Sequence, residues 1–211
     1  QLGHEIIILF GDFTARIGDP DKNSTRKQLT EEDVKHNVSG WMQQVAPLID
    51  FQDPMNPAKI MYNSVWLSKL NFSDIISIAS NFTVQQMIER DLFAKRLAAN
   101  APIHLHEFMY PLMQGYDSVA MDVDVEVCGN DQIFNALAGR TLMKRMKDKD
   151  KIVVALNLVA NPATGELMSK SNGTGVFVNL PPNELFGALM ALPDPMIEPL
   201  FKNCTRILLV E

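Results

Sequence analysis

The sequence predicts an α/β fold, a mostly parallel sheet with helices layered on both of its faces, and three observations predict it. Short apolar runs at 5–10, 119–127 and 152–159 alternate with longer segments of helical periodicity, as strands joined by crossover helices do. Each run leads into a small-residue or polar turn, at Gly11, Gly129 and Asn161, and it is outside the carboxyl ends of strands that open α/β sheets bind ligands. A hydrophobic fraction of 46% against 21% charged residues, over 211 residues, is enough to bury a sizeable core.

The elements follow in order. Residues 5–10 are rich in β-branched side chains and end at Gly11, as a buried parallel strand does. The turn-forming stretch Gly11-Asp12-Phe13-Thr14-Ala15-Arg16-Ile17-Gly18-Asp19-Pro20 comes next. Thr30-Glu31-Glu32-Asp33 opens a helix in the manner of a capping box, with Val34, Val38, Trp41, Met42, Val45 and Leu48 at helical spacing as far as 49. Pro54 and Pro57 break the chain before a short strand at 59–62. One helix is expected over 64–80. A second runs from Thr83 to about 99 with Met87, Phe93 and Leu97 inward, and a third over 103–114 ends before Gly115. A strand over 119–127 precedes a strongly periodic helix over 131–147, with Ile133, Phe134, Leu137, Leu142 and Met143 inward. A strand at 152–159 and short helices at 184–192 and 194–203 complete the chain. Gln1-Leu2-Gly3-His4 reads as the end of an earlier helix with a glycine stop, so the sequence is expected to be a fragment, cut at both ends.

Composition narrows the function. No apolar run approaches the ~20 residues of a membrane span, and the net charge of −6 excludes a surface that coats nucleic acid generally, leaving only local basic patches for RNA. Cys128 and Cys204 lie too far apart in sequence to form a metal-ligand pair. A reducing cytoplasm is the expected compartment.

Several constellations carry chemistry, each with a plainer reading beside it. Tyr110, Gln114 and Asp117 stand at i, i+4 and i+7, on one helix face provided that Gly115 does not end the helix first, and could hold an ammonium and a hydroxyl; a solvated polar face has the same spacing. In Cys128-Gly129-Asn130-Asp131-Gln132 the glycine permits close backbone approach and the aspartate can accept ribose hydroxyls, though Asn-Asp at a helix start is also an ordinary cap. The loop at 161–175 centres on Met168-Ser169-Lys170-Ser171 and offers a cation to a phosphate; solvated loops are often composed this way too. His104-x-His106-Glu107 lacks a third metal ligand at sensible spacing. Asp122, Asp124 and Glu126 alternate with valines as on a strand with one solvated face, a better account than a Ca²⁺ site. The basic run Lys144, Arg145, Lys147, Lys149 and Lys151 complements a helix dipole, with a tRNA phosphate contact as the alternative.

Taken together and in order, these motifs resemble the catalytic domain of bacterial-type tyrosyl-tRNA synthetases. The stretch from Gly11 to Pro20 is similar to that family's GGATGLIGDP loop, Gln114-Gly115-Tyr116-Asp117 to its QGYD, Gly129-Asn130-Asp131-Gln132 to its G-S-D-Q turn, and Met168-Ser169-Lys170-Ser171 to its KMSKS signature. The resemblance extends over essentially all of residues 1–211. It implies a Rossmann-like three-layer parallel sheet, helices over about 64–115 that form a homodimer interface and part of the tyrosine pocket, and a signature loop at about 161–175. It also implies the site. Asp19, Tyr110 and Gln114 would hold the tyrosine ammonium, Asp117 would accept from the phenolic hydroxyl, Gln132 would lie beside the carboxylate, and Thr14 would line the pocket. Gly129, Asp131, Met168 and Lys170 would bind ATP, and Lys170, Ser169 and Gln132 would act on the reacting groups. Partners would be tyrosine, ATP with its Mg²⁺ as substrate, and tRNA(Tyr), with no metal held by the protein and no membrane.

The departures from the family pattern define two rival readings. Leu167 stands where the signature has its first lysine, Cys128 where the family often has glycine, and no His-x-Gly-His occurs in the sequence. The family's HIGH motif would precede Gln1 and its anticodon-binding region would follow Glu211, so this stretch alone is expected to be inactive. One rival is a non-catalytic, synthetase-like binding module. The other is a tryptophan-specific relative, against which Asp117 weighs.

Overall fold

The computed structural model of the chain describes residues 3–17, 30, 32, 40–41, 44–169 and 173–207. It divides into two compact units, one of residues 1–128 and 132–155, the other of 129–131 and 156–211. In the first, β1 (Ile7–Phe10) pairs in parallel with β2 (Lys59–Tyr62), Ile7 opposite Lys59 and Phe10 opposite Tyr62. Phe10 is buried, its ring stacked at 5.5 Å on both Trp41 and Tyr62. A second hydrogen-bonded pair joins β3 (Val125–Gly129) and β4 (Ile152–Leu156). Among the described residues the expected sheet is thus seen as two pairs of short strands with helices between them. Of the helix expected over 30–49, Val34, Val38 and Met42 lie outside the described residues.

The helical region departs from the sequence reading in ways that local chemistry explains. The helix expected over 64–80 is two, α2 (Ser64–Leu67) and α3 (Phe72–Ala79). Asn71 interrupts it by taking an extended conformation and accepting from the Ser73 and Asp74 amides while the Asp74 carboxylate accepts from the Asn71 N–H, a reciprocal cap that starts a new helix. The helix expected over 83–99 also divides, into α4 (Val84–Ile88) and α5 (Asp91–Ala98). At the break Arg90 is buried with its guanidinium 5.5 Å from the Phe93 ring centre and 6.0 Å from that of Phe134. Leu97, expected inward, is 57% exposed.

The largest correction concerns α6 (Met109–Met121), which follows a 3₁₀ turn at Leu105–Phe108 and runs straight through Gly115. A Cβ at Gly115 would come within 3.0 Å of the Gly139 nitrogen and 3.1 Å of the Ala138 carbonyl carbon. The glycine therefore permits close approach to α7 (Ile133–Lys147) and is not a stop. The helix ends at Asp122, in the left-handed conformation with φ 55°. Residues 119–121 are consequently helical, and the expected strand begins only at Val125; Val119 is buried in the core with Ile78, Met87, Leu112, Leu142 and Met143. The same close approach sets the phase of α7. Asn135, Ala136, Ala138, Gly139, Leu142 and Met143 face inward, while Ile133 and Leu137 are exposed.

The basic run and the alternating acids answer each other. Lys144 pairs with Asp148 at 2.8 Å, Lys147 with Asp122 at 3.2 Å and Lys149 with Asp124 at 2.9 Å, and Arg145 donates to the Asn81 carbonyl. Lys151 is the exceptional member, 1% exposed. Its ammonium pairs with Glu126 and donates to Ser118 Oγ at 2.8 Å, and Gly139 leaves it room, since a Cβ there would lie 2.5 Å from Nζ.

In the second unit an antiparallel bridge between Ala160 and Leu167 closes a turn in which Gly165 has φ 74°. Its helices are α8 (Pro182–Met190) and α9 (Ile197–Cys204), the latter after a 3₁₀ turn at Asp194–Met196. Lys151→Met should lower the unfolding free energy in a urea titration by about 3 kcal/mol, because it strands the Glu126 carboxylate. Adding Glu126→Gln should recover most of the loss.

Candidate active site

Parallel pairing sets the carboxyl ends of β1 and β2 side by side, and the Asn63 amide donates to the Phe10 carbonyl at 3.1 Å just beyond the ladder. The turns that follow are stitched together. Asp12 accepts from the Phe13 and Ser64 amides, at 3.0 and 2.9 Å, and from the Ser64 hydroxyl at 2.5 Å. Asn63, fully buried, accepts from the Phe13 amide at 2.9 Å and donates to Thr14 Oγ1 at 3.2 Å. Gly11 must lack a side chain here, because a Cβ would lie 2.6 Å from Thr14 Oγ1.

Onto this corner α6 brings Asp117, 3% exposed. Its two carboxyl oxygens are each engaged, Oδ2 by Asn63 Nδ2 at 3.1 Å and Oδ1 by the Trp66 indole N–H at 2.7 Å. Burial pushes the carboxyl up from 3.8 to about 7, against the lowering effect of Trp66 and Asn63, and the nearby Glu126 and Asp12 carboxylates add to the rise. A carboxylate has further lone-pair sites beyond these two bonds, so the group can still accept from a buried hydroxyl.

Because α6 is continuous, Tyr110, Gln114 and Asp117 do share one face of it. Tyr110 and Gln114 are partly buried. Gln114 meets Gln132, at the end of the 3₁₀ turn Asn130–Gln132, through a third amide: Asn135 Nδ2 donates at 2.9 Å to the Oε1 of each. Asp12, Asn63, Trp66 and Asn135 were not singled out in the sequence. For Asn135 the available signal was an amide on the inward side of an amphipathic helix, and for Asn63 an asparagine between a strand and a helix.

The second unit holds the other expected residues. A Cβ at Gly129 would come within 2.5 Å of Asp131 Oδ1 and 3.0 Å of Leu158, so a side chain there would require those two side chains to shift. Asp131 itself is exposed. Met168 donates its amide to the Val159 carbonyl at 2.9 Å, and the Ser169 amide donates to Thr174 Oγ1 at 3.1 Å, whose hydroxyl donates in turn to the Leu167 carbonyl at 2.8 Å. Asp19 and Lys170 lie outside the described residues. No group of His, Cys, Asp and Glu capable of holding a metal occurs among the described residues. Glu107, next to the stacked His104 and His106, is taken up by an ion pair with Arg96.

The Asp117 carboxyl binds its proton more tightly in the folded than in the unfolded chain. Stability from this group is therefore present below the unfolded value and is lost as the pH rises through about 7. The loss should reach ~4 kcal/mol at about 1.4 kcal/mol per tenfold change. Urea unfolding at about pH 5 and about pH 8 should show a decline for the parent protein that Asp117→Asn flattens.

The chain is similar to known proteins along nearly its whole length. The family model of the tRNA synthetases class I (W and Y) matches residues 1–207. The chain is 47% identical over 200 residues to the tyrosine–tRNA ligase of Carboxydothermus hydrogenoformans, covering 93% of this chain and 47% of that protein. With the ligase of Moorella thermoacetica it shares 41% over 212 residues, covering all of this chain and 50% of that one. It thus spans about half the length of the curated relatives it matches. Among solved structures, the tyrosyl-tRNA synthetase of Archaeoglobus fulgidus in complex with L-tyrosine superposes with a TM-score of 0.65 at 21% identity, covering 90% of this chain and 56% of that one. The tryptophanyl-tRNA synthetase of Campylobacter jejuni gives 0.59 at 14%, covering 88% and 56%. Those two likenesses concern the fold. With a family model matched along almost its whole length and relatives above 40% identity, the chain belongs to the class I tRNA synthetases of the tryptophan and tyrosine group.

Proposed function

We propose that the chain is part of a tyrosine–tRNA ligase, which activates tyrosine with ATP and passes it to tRNA(Tyr). The observation that carries this reading is Asp117, a buried carboxyl held by Asn63 and Trp66 on the helix face that also bears Tyr110 and Gln114. A buried hydrogen-bond acceptor suits an amino-acid side chain that carries a donor, as a phenol does, better than a purely apolar one. Tyr110, Gln114 and Asp19 would receive the ammonium, Gln132 the carboxylate, and Thr14 the side of the ring.

Activation forms a bond from a tyrosine carboxylate oxygen to the α-phosphorus and breaks the α–β bridge, releasing pyrophosphate. The nucleophile is already an anion, so neither a protein nucleophile nor a general base is needed; alignment and charge stabilisation supply the rate. Gly129, Asp131 and Met168 would hold the nucleotide, whose Mg²⁺ arrives with it, and Lys170 beside Ser169 would meet the departing pyrophosphate. In the second step a terminal ribose hydroxyl of the tRNA attacks the activated carbonyl and AMP leaves. The ligase is proposed to work as a homodimer. In the helices of 64–115, a hollow of about 340 Å³ lined by Leu70, Ile75, Ile78, His106, Met109, Leu112 and Met113 suits a largely apolar partner surface, and Phe72 and Leu105 of the same stretch are exposed. Among the described residues Cys128 and Cys204 form no disulfide, which suits a reducing cytoplasm, and no helix among those residues is long and apolar enough to cross a membrane.

Leu167 favours a second reading, a synthetase-like module that binds without catalysis. Tyrosine-dependent ATP–pyrophosphate exchange by the native protein that carries this chain separates the two: exchange is expected, and none would support the module. Lys170→Ala should slow that exchange by roughly 10²–10³ while tyrosine affinity barely moves. Asp117→Ala should cost tyrosine much more than phenylalanine, lowering the ratio of their kcat/KM values by at least about tenfold; equal losses for both substrates would confine Asp117 to a structural part.

A further inference from the structure

Between the two glutamines proposed for the substrate's ammonium and carboxylate stands an amide that the proposed chemistry leaves unused. Asn135, in the first turn of α7, is 1% exposed, and both of its N–H bonds are spent on the Gln114 and Gln132 carbonyl oxygens at 2.9 Å. Its own Oδ1 is shut off from solvent and has no hydrogen-bond partner among the described residues. An acceptor buried without a donor is a cost that an apolar residue of similar shape would avoid, so the two N–H contacts are the asset at this position.

Their effect follows from the symmetry of a side-chain amide. A glutamine can present either its C=O or its NH₂ in nearly the same volume, and the choice decides whether it attracts a cation or an anion. A single donor group facing both oxygens settles both choices together. With each Oε1 drawn toward Asn135, each Nε2 points away from it, which gives Gln132 the N–H donors a carboxylate needs and leaves one lone pair of Gln114 Oε1 for an ammonium. We infer that Asn135 is a positioning residue that sets the donor–acceptor orientation of Gln114 and Gln132, and through them the affinity of the site for the amino-acid head group. The inference rests on the tyrosine-activation reading above.

Asn135→Asp tests it, because the new carboxylate keeps the shape and offers only acceptors, turning both glutamine NH₂ groups inward. The native protein carrying this chain is assayed by tyrosine-dependent ATP–pyrophosphate exchange, with tyramine, which has the ammonium and phenol but no carboxylate, as competing inhibitor. The expected result is a KM for tyrosine raised about tenfold or more, a KM for ATP within about twofold of the parent, and a smaller change for tyramine, so that the preference for tyrosine over tyramine falls. Asn135→Ala removes the donors without adding charge and should weaken tyrosine without reversing that preference. An unchanged tyrosine-to-tyramine preference in Asn135→Asp would overturn the inference, as would tyrosine and ATP constants rising together in both variants. If the parent protein shows no tyrosine-dependent exchange, the proposed function fails and this inference with it; normal parent exchange with an indifferent Asn135→Asp variant sinks this inference alone.

Discussion

Two glycines in contact, Gly115 on α6 and Gly139 on α7, govern most of what the first unit does. Where a Cβ would already be 3.0 Å from backbone, the helices cannot rotate about their axes without separating. That contact decides which side of each helix is interior. It turns Leu112, Val119, Leu142 and Met143 into one core and sends Ile133 and Leu137 to the surface. The other side of Gly139 provides the space in which the Lys151 ammonium reaches Ser118. Ser118 is the neighbour of Asp117, so the packing of two backbones extends by one residue to the placement of the buried carboxyl.

The corner around Asp117 breaks the ordinary preference for apolar interiors. Thr14, Asn63, Asp117 and Ser118 are all buried, together with Asn135 and Lys151. Polar groups at such depth are retained only when their partners are supplied, and here the partners come from different elements: β1's turn, the residue after β2, α2, α6, β3 and the residue before β4. The network therefore reports on assembly of the whole unit, and a carboxyl whose proton affinity is raised by burial is its most sensitive member.

Much of this was legible in the sequence, and the failures have physical causes. The alternation of apolar runs with periodic segments marked three of the four described strands and most helices, Pro54 and Pro57 announced the fourth, and the i, i+4, i+7 spacing of Tyr110, Gln114 and Asp117 described a real helix face. What misled was the reading of punctuation. Gly115 resembles a stop when only its own segment is considered, since the reason for it lies 24 residues away on another helix. The interruptions at Asn71 and Arg90 depend on side chains turning back onto the backbone or stacking between rings, and neither carries a periodicity signal. Asn63 and Asn135 escaped notice because asparagine is ordinary near helix starts; only the identity of what each one touches distinguishes it.

Both long helices finish on an aspartate in the left-handed conformation, Asp122 at φ 55° and Asp148 at φ 51°. The position asks for two properties that seldom coincide. Glycine would be the easiest backbone there, but could not hold a lysine; glutamate could hold one but resists the left-handed region. Aspartate tolerates the turn and pairs with Lys147 and Lys149 at one end and with Lys144 at the other. Its negative charge opposes the helix dipole at a carboxyl terminus, and those lysines offset the conflict. Each helix end is thus a compromise between conformation and charge in which drift toward glycine or asparagine would ease the backbone and release the basic run, altering the electrostatic character of that surface without disturbing the path of the chain.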